Sequence, residues 1–331
     1  MLVLGIDTSC DDTSLALLRD DKTLLSNVVS SQVDLHRVFG GVVPEIASRK
    51  HIELIDGLYK ETLKEGGISG SSVDGIGVTA GPGLIGSVLV GLCFAKGLAL
   101  SLGKPLIAVN HIEAHAMSIF LEREVEFPFI ALVVSGGHTI MLLIRGFGKY
   151  QVLGSTRDDA AGEAFDKIAK YLGIGYPGGK VIEDLSAKGQ RDYVAFPRPM
   201  VDEKNYDFSF SGLKTSMINY IKKNDITDDN LNDIMASFQE AAFDVLASKT
   251  IRAARDLKIS RIVVGGGVAS NGRLRQIFVE RCREDGIEAL FSSPEFCTDN
   301  GAMVARLAYQ YYLEGTTSSL NAAGFSRMKI H

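Results

Sequence analysis

The chain has 331 residues, of which 46% are hydrophobic and 23% charged; this rules out intrinsic disorder and supplies apolar material for about two domains. Thirty-five Lys and Arg against 40 Asp and Glu leave a net charge of −5. That excludes a protein built to coat nucleic acid, while an enzyme meeting RNA through a local basic patch stays allowed.

In chain order, residues 2–6 form an apolar run ending in Asp7-Thr8-Ser9. Residues 14–18 and 24–30 follow around a charged turn at 19–22, the pattern of three short strands joined by tight turns. The spacing of Ile46, Ile52, Ile55, Leu58 and Leu63 predicts a helix over 43–63, stopped at Gly66-Gly67. Residues 73–79 read as a strand closed by Gly81-Pro82-Gly83, 84–102 as an apolar helix, 106–110 as a strand and 111–121 as a helix. Lys96 and the glycines and serines of 84–102 predict a buried helix rather than a membrane span. No basic-then-apolar leader opens the sequence, and Cys10, Cys93, Cys282 and Cys297 form no CxxC pair. The expectation is a cytoplasmic protein in a reducing compartment, without a disulfide framework or a membrane contact.

The second half repeats this order. Strands are predicted at 129–135, 140–144 and 150–154, a helix at 162–172, and a strand at 261–264 closed by Gly265-Gly266-Gly267. A helix at 273–284, a strand at 288–291 and a last helix at 299–313 complete it, with a mostly helical insertion at 173–259. The expected fold is α/β, with two duplicated βββαβαβα lobes around a nucleotide cleft. The N-terminal lobe is expected to span 1–128 and the C-terminal lobe 129–331, the last helix being free to pack back on the N-terminal lobe.

Glycine makes up 35 residues, about one in ten against a typical ~7%, and its clusters fall at predicted strand ends. Ligands of open α/β sheets bind at such carboxyl ends. Three of these motifs carry a nucleotide hypothesis: residues 5–13 with their carboxylates and hydroxyls, Ser135-Gly136-Gly137-His138-Thr139, and residues 265–271. Neither a Walker A pattern nor a dinucleotide fingerprint occurs. Asp166 and Glu183 are candidates for ribose hydroxyls.

His111 and His115, four residues apart on a predicted helix, present both imidazoles on one face. Glu113 sits at the wrong position for an HExxH general base. Matching His115-Ala116-Met117 with Gly301-Ala302-Met303 sets Asp299 at the start of the equivalent helix of the second lobe. A pseudo-twofold would then bring His111, His115 and Asp299 together across the cleft. Two histidines and one carboxylate with open positions suit Fe(II) or Zn(II), which would polarise a carbonyl or phosphate oxygen.

The stretches GIDTSCDDT (5–13), FGGVVPEIASRKH (39–51), GPGLIGSVLVG (81–91), NHIEAH (110–115), VSGGHT (134–139), GEAFDK (162–167), YPGG (176–179), FSFSGLKT (208–215), GGVASN (266–271) and CTDN (297–300) run through nearly the whole chain. In its duplicated lobes and phosphate hairpins the chain resembles the ASKHA (actin-like ATPase) superfamily. Far more closely it resembles the tRNA N6-adenosine threonylcarbamoyltransferase family of the bacterial TsaD type. That resemblance implies transfer of a threonylcarbamoyl group from threonylcarbamoyl-adenylate to N6 of adenosine 37 in tRNAs reading ANN codons. It implies His111, His115 and Asp299 as metal ligands, with Fe(II) ahead of Zn(II). It places Val134, Ser135, Gly136, Gly137, His138, Asp166, Gly179, Glu183 and Asn271 on positions that hold the adenylate or an adenine nucleotide. Asp11 falls on the acidic position that the family needs for activity; Asp12 and His138 join it as catalytic candidates.

The sequence departs from the family pattern at Asp7 and Asp12, where Glu is usual, at Lys180, where proline is common, and at Glu183, where Asp is frequent. Implied partners are tRNA, a shorter paralogue of the same fold (TsaB type) docking on helices such as 43–63, and a small ATPase (TsaE type). Candidate RNA-facing cations are Arg49-Lys50, Lys222-Lys223, Arg273, Arg275, Arg281 and Arg283. Rival readings are a small-molecule kinase or O-carbamoyltransferase of the same fold, a metallopeptidase, the historical label of the family, and a non-catalytic scaffold paralogue.

Overall fold

Every residue of β1 (Leu2–Asp7) is buried, as a strand covered on both faces requires. The computed structural model describes Met1–Ile330. β1 pairs antiparallel with β2 (Asp12–Arg19), which pairs antiparallel with β3 (Thr23–Ser31). On its other side β1 runs parallel to β4 (Gly75–Gly81), and β4 to β5 (Leu106–Asn110). The five-stranded order is β3-β2-β1-β4-β5. The connections carry α1 (Val33–Arg37), α2 (Pro44–Glu65), α3 (Ile85–Leu102) and α4 (His111–Met117), the last continued by a 3-10 turn at Ser118–Leu121.

The second sheet repeats the scheme with β6 (Phe129–Val134), β7 (Thr139–Gly146), β8 (Lys149–Ser155), β9 (Arg261–Gly265) and β10 (Glu288–Phe291), in the order β10-β9-β6-β7-β8. Each sheet therefore has a central strand with an antiparallel hairpin on one side and two parallel strands on the other. Around the second sheet come α5 (Ala161–Leu172), α6 (Gly178–Ser186), α7 (Ser211–Lys223), α8 (Asp228–Leu257) and α9 (Gly272–Glu284). The predicted insertion is mostly helical, its longest stretch without helix or strand being residues 187–210. Part of that segment is fastened to α8: buried Lys249 donates to the Met200 carbonyl at 2.6 Å, and Arg252 donates to the carbonyls of Val201, Glu203 and Asn205.

The chain divides into two compact units, Met1–Val125 together with the residues from Ser292 onward, and Glu126–Phe291. α10 (Pro294–Cys297) and α11 (Gly301–Leu313) thus belong with the first sheet, whereas a division at 128/129 leaves them with the second half. α11 lies against β1, β2, β4 and β5, and the reason is steric. A Cβ on Gly5 would stand 2.2 Å from the Gly301 carbonyl oxygen and 2.4 Å from the Ala305 nitrogen. A Cβ on Gly77 would stand 2.4 Å from the Ala308 Cβ, and one on Gly301 2.6 Å from the Ala16 nitrogen. Helix and sheet meet backbone to backbone, and Gly301–Ala308 is buried throughout.

α3 has the length and apolarity of a membrane span, but here one face packs on β4, β1 and β5 and another on α2. Thr8 pins it to the sheet, donating to the Ser87 carbonyl at 2.7 Å and accepting from the Gly91 N–H at 3.2 Å.

Gly5→Ala is expected to lower unfolding free energy by about 1–3 kcal/mol, because neither backbone can yield to the added methyl. Urea denaturation of wild type and variant checks this; an unchanged midpoint would contradict the packing described.

Candidate functional site

α4 begins directly at the end of β5, and Asn110 fixes the junction: its side chain accepts the Ile112 N–H at 2.9 Å and the Glu113 N–H at 3.3 Å. This cap sets His111 and His115 one turn apart, their ring centroids 4.6 Å from each other. Asp299, just before α11, reaches both: its Oδ1 lies 3.0 Å from His115 Nε2 and 3.5 Å from His111 Nε2. Asp7, at the end of β1, places Oδ2 at 3.5 Å from His111 Nδ1. Ser9 donates to Asp7 at 3.2 Å and to Asp299 at 3.5 Å.

All three predicted ligands therefore sit in one unit. The expectation that Asp299 would come from a second lobe across a cleft is corrected, because the close packing of α11 returns that segment to the first sheet. One ligand atom each from His111, His115 and Asp299 lie within 4.8 Å of one another, and this group could hold a metal ion. The donor set fits a divalent cation: two imidazoles and a carboxylate converge in a buried place. Asp7 Oδ1 and His115 Nδ1 are in addition buried without a hydrogen-bond partner among the described residues. Burial by itself would lower the His111 pKa, yet Asp299 and Asp7 push it up to about 10. The spot favours positive charge.

The acidic hairpin lies alongside. Burial raises Asp11, against a hydrogen bond from Cys10 that lowers it. Asp12 is pushed up to about 7 by burial and by the charges of Asp299, Asp11 and Asp7. A cation at the histidines would counter these carboxylate charges. Glu113 turns elsewhere: its carboxylate accepts the Tyr311 hydroxyl at 2.7 Å, so it serves α11 rather than the histidine pair.

The adenylate candidates lie in the other unit and are joined by short contacts. After β6 ends at Val134, the Ser135–His138 turn is closed by Ser135 N–H to the His138 carbonyl at 2.8 Å and by His138 N–H to the Ser135 hydroxyl at 3.2 Å. A Cβ on Gly136 or Gly137 would meet nothing, so this backbone is open for an approaching ligand. Gly162 lets α5 press on the turn, since its Cβ would stand 2.6 Å from the Ser135 carbonyl oxygen. Gly266, at φ +89°, passes the Val134 carbonyl, which a Cβ would approach to 2.4 Å. Asp166 accepts the Gly178 N–H at 2.7 Å at the start of α6, and Gly179 faces open space. Glu183 accepts the Gly272 N–H at 2.8 Å. Asn271 caps α9 through the N–H groups of Arg273 and Leu274 and donates to Gln239 at 2.9 Å.

A cavity of about 270 Å³ is lined by Glu183, Ser186, Arg191, Gln239, Arg273 and Gln276, among others. Sequence reasoning missed Arg191, Gln239 and Gln276, which belong to no glycine turn. Of the candidate cations, Arg273 is committed to Glu240 at 2.5 Å, Arg281 to Asp244 and Lys50 to Glu53 at 2.9 Å. Arg49, Lys222 and Lys223 are exposed.

The stretch 208–215 is held by two neighbouring carboxylates. Asp158 accepts the N–H groups of Phe210 and Ser211 and the hydroxyls of Ser209 and Ser211. Asp159 binds Lys167 of α5 at 2.7 Å and Lys214 of α7, fastening the two helices together.

A model of the TsaD family, tRNA N6-adenosine threonylcarbamoyltransferase, matches residues 23–306. The tRNA N6-adenosine threonylcarbamoyltransferase of Geotalea uraniireducens is 52% identical over 321 residues, 96% of this chain and 93% of that one. That of Clostridium botulinum strain Kyoto is 47% identical over 331 residues, 99% and 97% of the two chains. The chain belongs to this family. It is an enzyme that transfers a threonylcarbamoyl group to adenosine 37 of tRNA. Among solved structures, component A of (R)-2-hydroxyglutaryl-CoA dehydratase from Acidaminococcus fermentans is similar with a TM-score of 0.56 at 17% identity, over 95% of this chain and 99% of that one. HypF of T. kodakarensis reaches a TM-score of 0.65 at 15% identity, over 95% of this chain and 48% of that one. These likenesses show the ASKHA fold.

Two outcomes follow from the site geometry. His115→Ala, which removes one of the three candidate ligands, is expected to reduce bound metal at least about tenfold after purification. Elemental analysis reads this, and undiminished metal would remove His115 from the ligand set. In Asp159 burial works upward on the pKa, but Lys167 and Lys214 hold it below the ordinary carboxylate value. Its stabilisation is therefore present above about pH 3.9 and is lost as pH falls through the lower folded value. Asp159→Asn should cost about 1–2 kcal/mol at pH 7, and the gap to wild type should shrink in strong acid; a pH-independent gap in denaturation curves would contradict the ion-pair account.

Proposed function

We propose that this chain forms N6-threonylcarbamoyladenosine at position 37 of tRNAs reading ANN codons, taking the group from threonylcarbamoyl-adenylate. The observation that carries the reading is the full-length family match together with the grouping of His111, His115 and Asp299 beside Asp11 and Asp12.

The exocyclic N6 amine of adenosine attacks the carbamoyl carbonyl of the mixed anhydride. A C–N bond forms, the C–O bond to the phosphate breaks, AMP leaves and the amine gives up one proton. Because that amine is a weak nucleophile, placement and charge stabilisation should contribute more than a strong base. Asp166, Gly179, Glu183 and Asn271 hold the adenosine of the adenylate, with Val134 at the strand end beside it. The open amides of Ser135–His138, with His138, stabilise negative charge developing on the attacked carbonyl. Asp11 accepts the amine proton, with Asp12 as its neighbour in reserve. A divalent ion held by His111, His115 and Asp299, Fe(II) ahead of Zn(II), would supply Lewis acidity toward the carbonyl or phosphate.

The enzyme works in the cytoplasm with a shorter paralogue of the same fold (TsaB type), seated on the outer face of α2, and a small ATPase (TsaE type). Weak intrinsic tRNA binding is expected, since the chain is acidic overall and Lys50, Arg273 and Arg281 are committed to carboxylates. A kinase reading leaves the histidine pair without a role, and a peptidase reading leaves the glycine turns of the second unit without one.

Incubation with tRNA, threonine, bicarbonate, ATP, the adenylate-forming enzyme and the two partners, followed by mass spectrometry of tRNA nucleosides, tests the reading. The modified nucleoside should appear only when this chain is present. Asp11→Ala should abolish product while adenylate binding persists; sustained turnover by that variant would remove Asp11 from its role.

A further inference from the structure

The hairpin that carries Asp11 and Asp12 is gripped from beneath by a histidine that no step above uses. His51 lies on α2 and is fully buried. Its Nε2 is 3.0 Å from the Cys10 carbonyl oxygen and its Nδ1 2.8 Å from the Thr13 hydroxyl. A carbonyl only accepts, so Nε2 carries the proton and Nδ1 accepts from Thr13; the neighbours choose the tautomer. Burial holds the ring pKa below its ordinary value, so the ring is neutral. Cys10 and Thr13 flank the two carboxylates, so a single ring fixes both ends of the acidic segment. The carbonyl between them, that of Asp11, accepts the Gln32 N–H at 3.1 Å. The Gln32 side chain in turn lies 3.4 Å from both the Ala47 carbonyl oxygen and His51 Nδ1, closing the group onto α2.

We propose that His51 is a positioning residue for the transfer, setting the backbone of the Cys10–Thr13 segment and with it the direction in which Asp11 presents its carboxylate. The inference rests on the proposed function, in which Asp11 receives the amine proton. His51 touches neither substrate nor metal ligand; it acts through two hydrogen bonds. Small displacements at a reacting centre cost rate far more than affinity, so the signature is a loss of kcat with binding intact.

The test uses the complete reconstituted reaction with three variants. His51→Leu fills the space but removes both hydrogen bonds, and kcat should fall about tenfold to a hundredfold. KM for adenylate and for tRNA, and metal content, should stay at wild-type values. His51→Gln keeps an amide N–H able to reach the Cys10 carbonyl, and should recover most of the lost rate. Thr13→Val, a nearly isosteric change, removes the tautomer-fixing donor and should lower kcat about two- to tenfold; it carries the test if His51→Leu fails to fold. Wild-type kcat in both His51→Leu and Thr13→Val would overturn the inference. So would equal impairment of His51→Leu and His51→Gln accompanied by lost metal or a raised KM, which would make His51 an ordinary core residue. Product from the wild-type chain with unimpaired variants sinks this inference alone, whereas no product from the wild-type chain sinks the proposed function and this inference with it.

Discussion

The contact on which the rest depends is the backbone-to-backbone seating of α11 on the first sheet. Gly5 and Gly77 leave room on the sheet side and Gly301 on the helix side. The axis comes so near the strands that the residues just before the helix reach the ends of β1 and β5. Asp299 arrives there facing His111 and His115, and the Asn300 side chain caps the helix by accepting the Met303 N–H at 2.9 Å. Gly301 donates to Ser14 of β2 at 2.7 Å, so the cap is also tied to the acidic hairpin. A side chain at any of the three glycines would push Asp299 away from the imidazoles.

Around that contact the charges form one balanced set. Four carboxylates, from Asp7, Asp11, Asp12 and Asp299, share a small buried region with two imidazoles. Burial and neighbouring negative charge raise the pKa of Asp11 and Asp12, whereas the imidazoles draw Asp299 the other way, well below the usual carboxylate range. Such a set is costly unless a cation or protons complete it. The second unit has another character: its turns offer bare backbone at Gly136, Gly137, Gly179 and Gly267, where added side chains would meet nothing. One unit concentrates charge, the other exposes amides.

Much of this was legible in the sequence because the signals are local. Apolar runs bounded by turns marked the strands, the i,i+4 spacing of His111 and His115 marked the candidate ligand pair, and glycine clusters marked the turns of the second unit. Asp299 was correctly grouped with the histidines, but by an argument from internal symmetry that assigned it to the other lobe. The mistake has a physical source: the glycines that admit α11 lie in β1 and β4, far from it in sequence, and nothing local to 299–313 reveals what the helix covers. For the same reason Gln239 and Arg191 escaped notice, being brought to the cavity by α8 and by a segment without regular structure. His51 was visible only as the end of a motif; its role needs the distances to Cys10 and Thr13.

The interleaving of the first unit also sets an order of events during synthesis. Chains emerge N-terminus first and domains tend to fold as units, yet the first 125 residues wait for a helix made more than 170 residues later. The continuous unit 126–291 can complete its core while the earlier sheet still lacks its cover. Asp299 leaves the ribosome long after His111 and His115, so the candidate metal group is assembled only once α11 can seat on the first sheet. A truncated product therefore carries the histidine pair without its carboxylate.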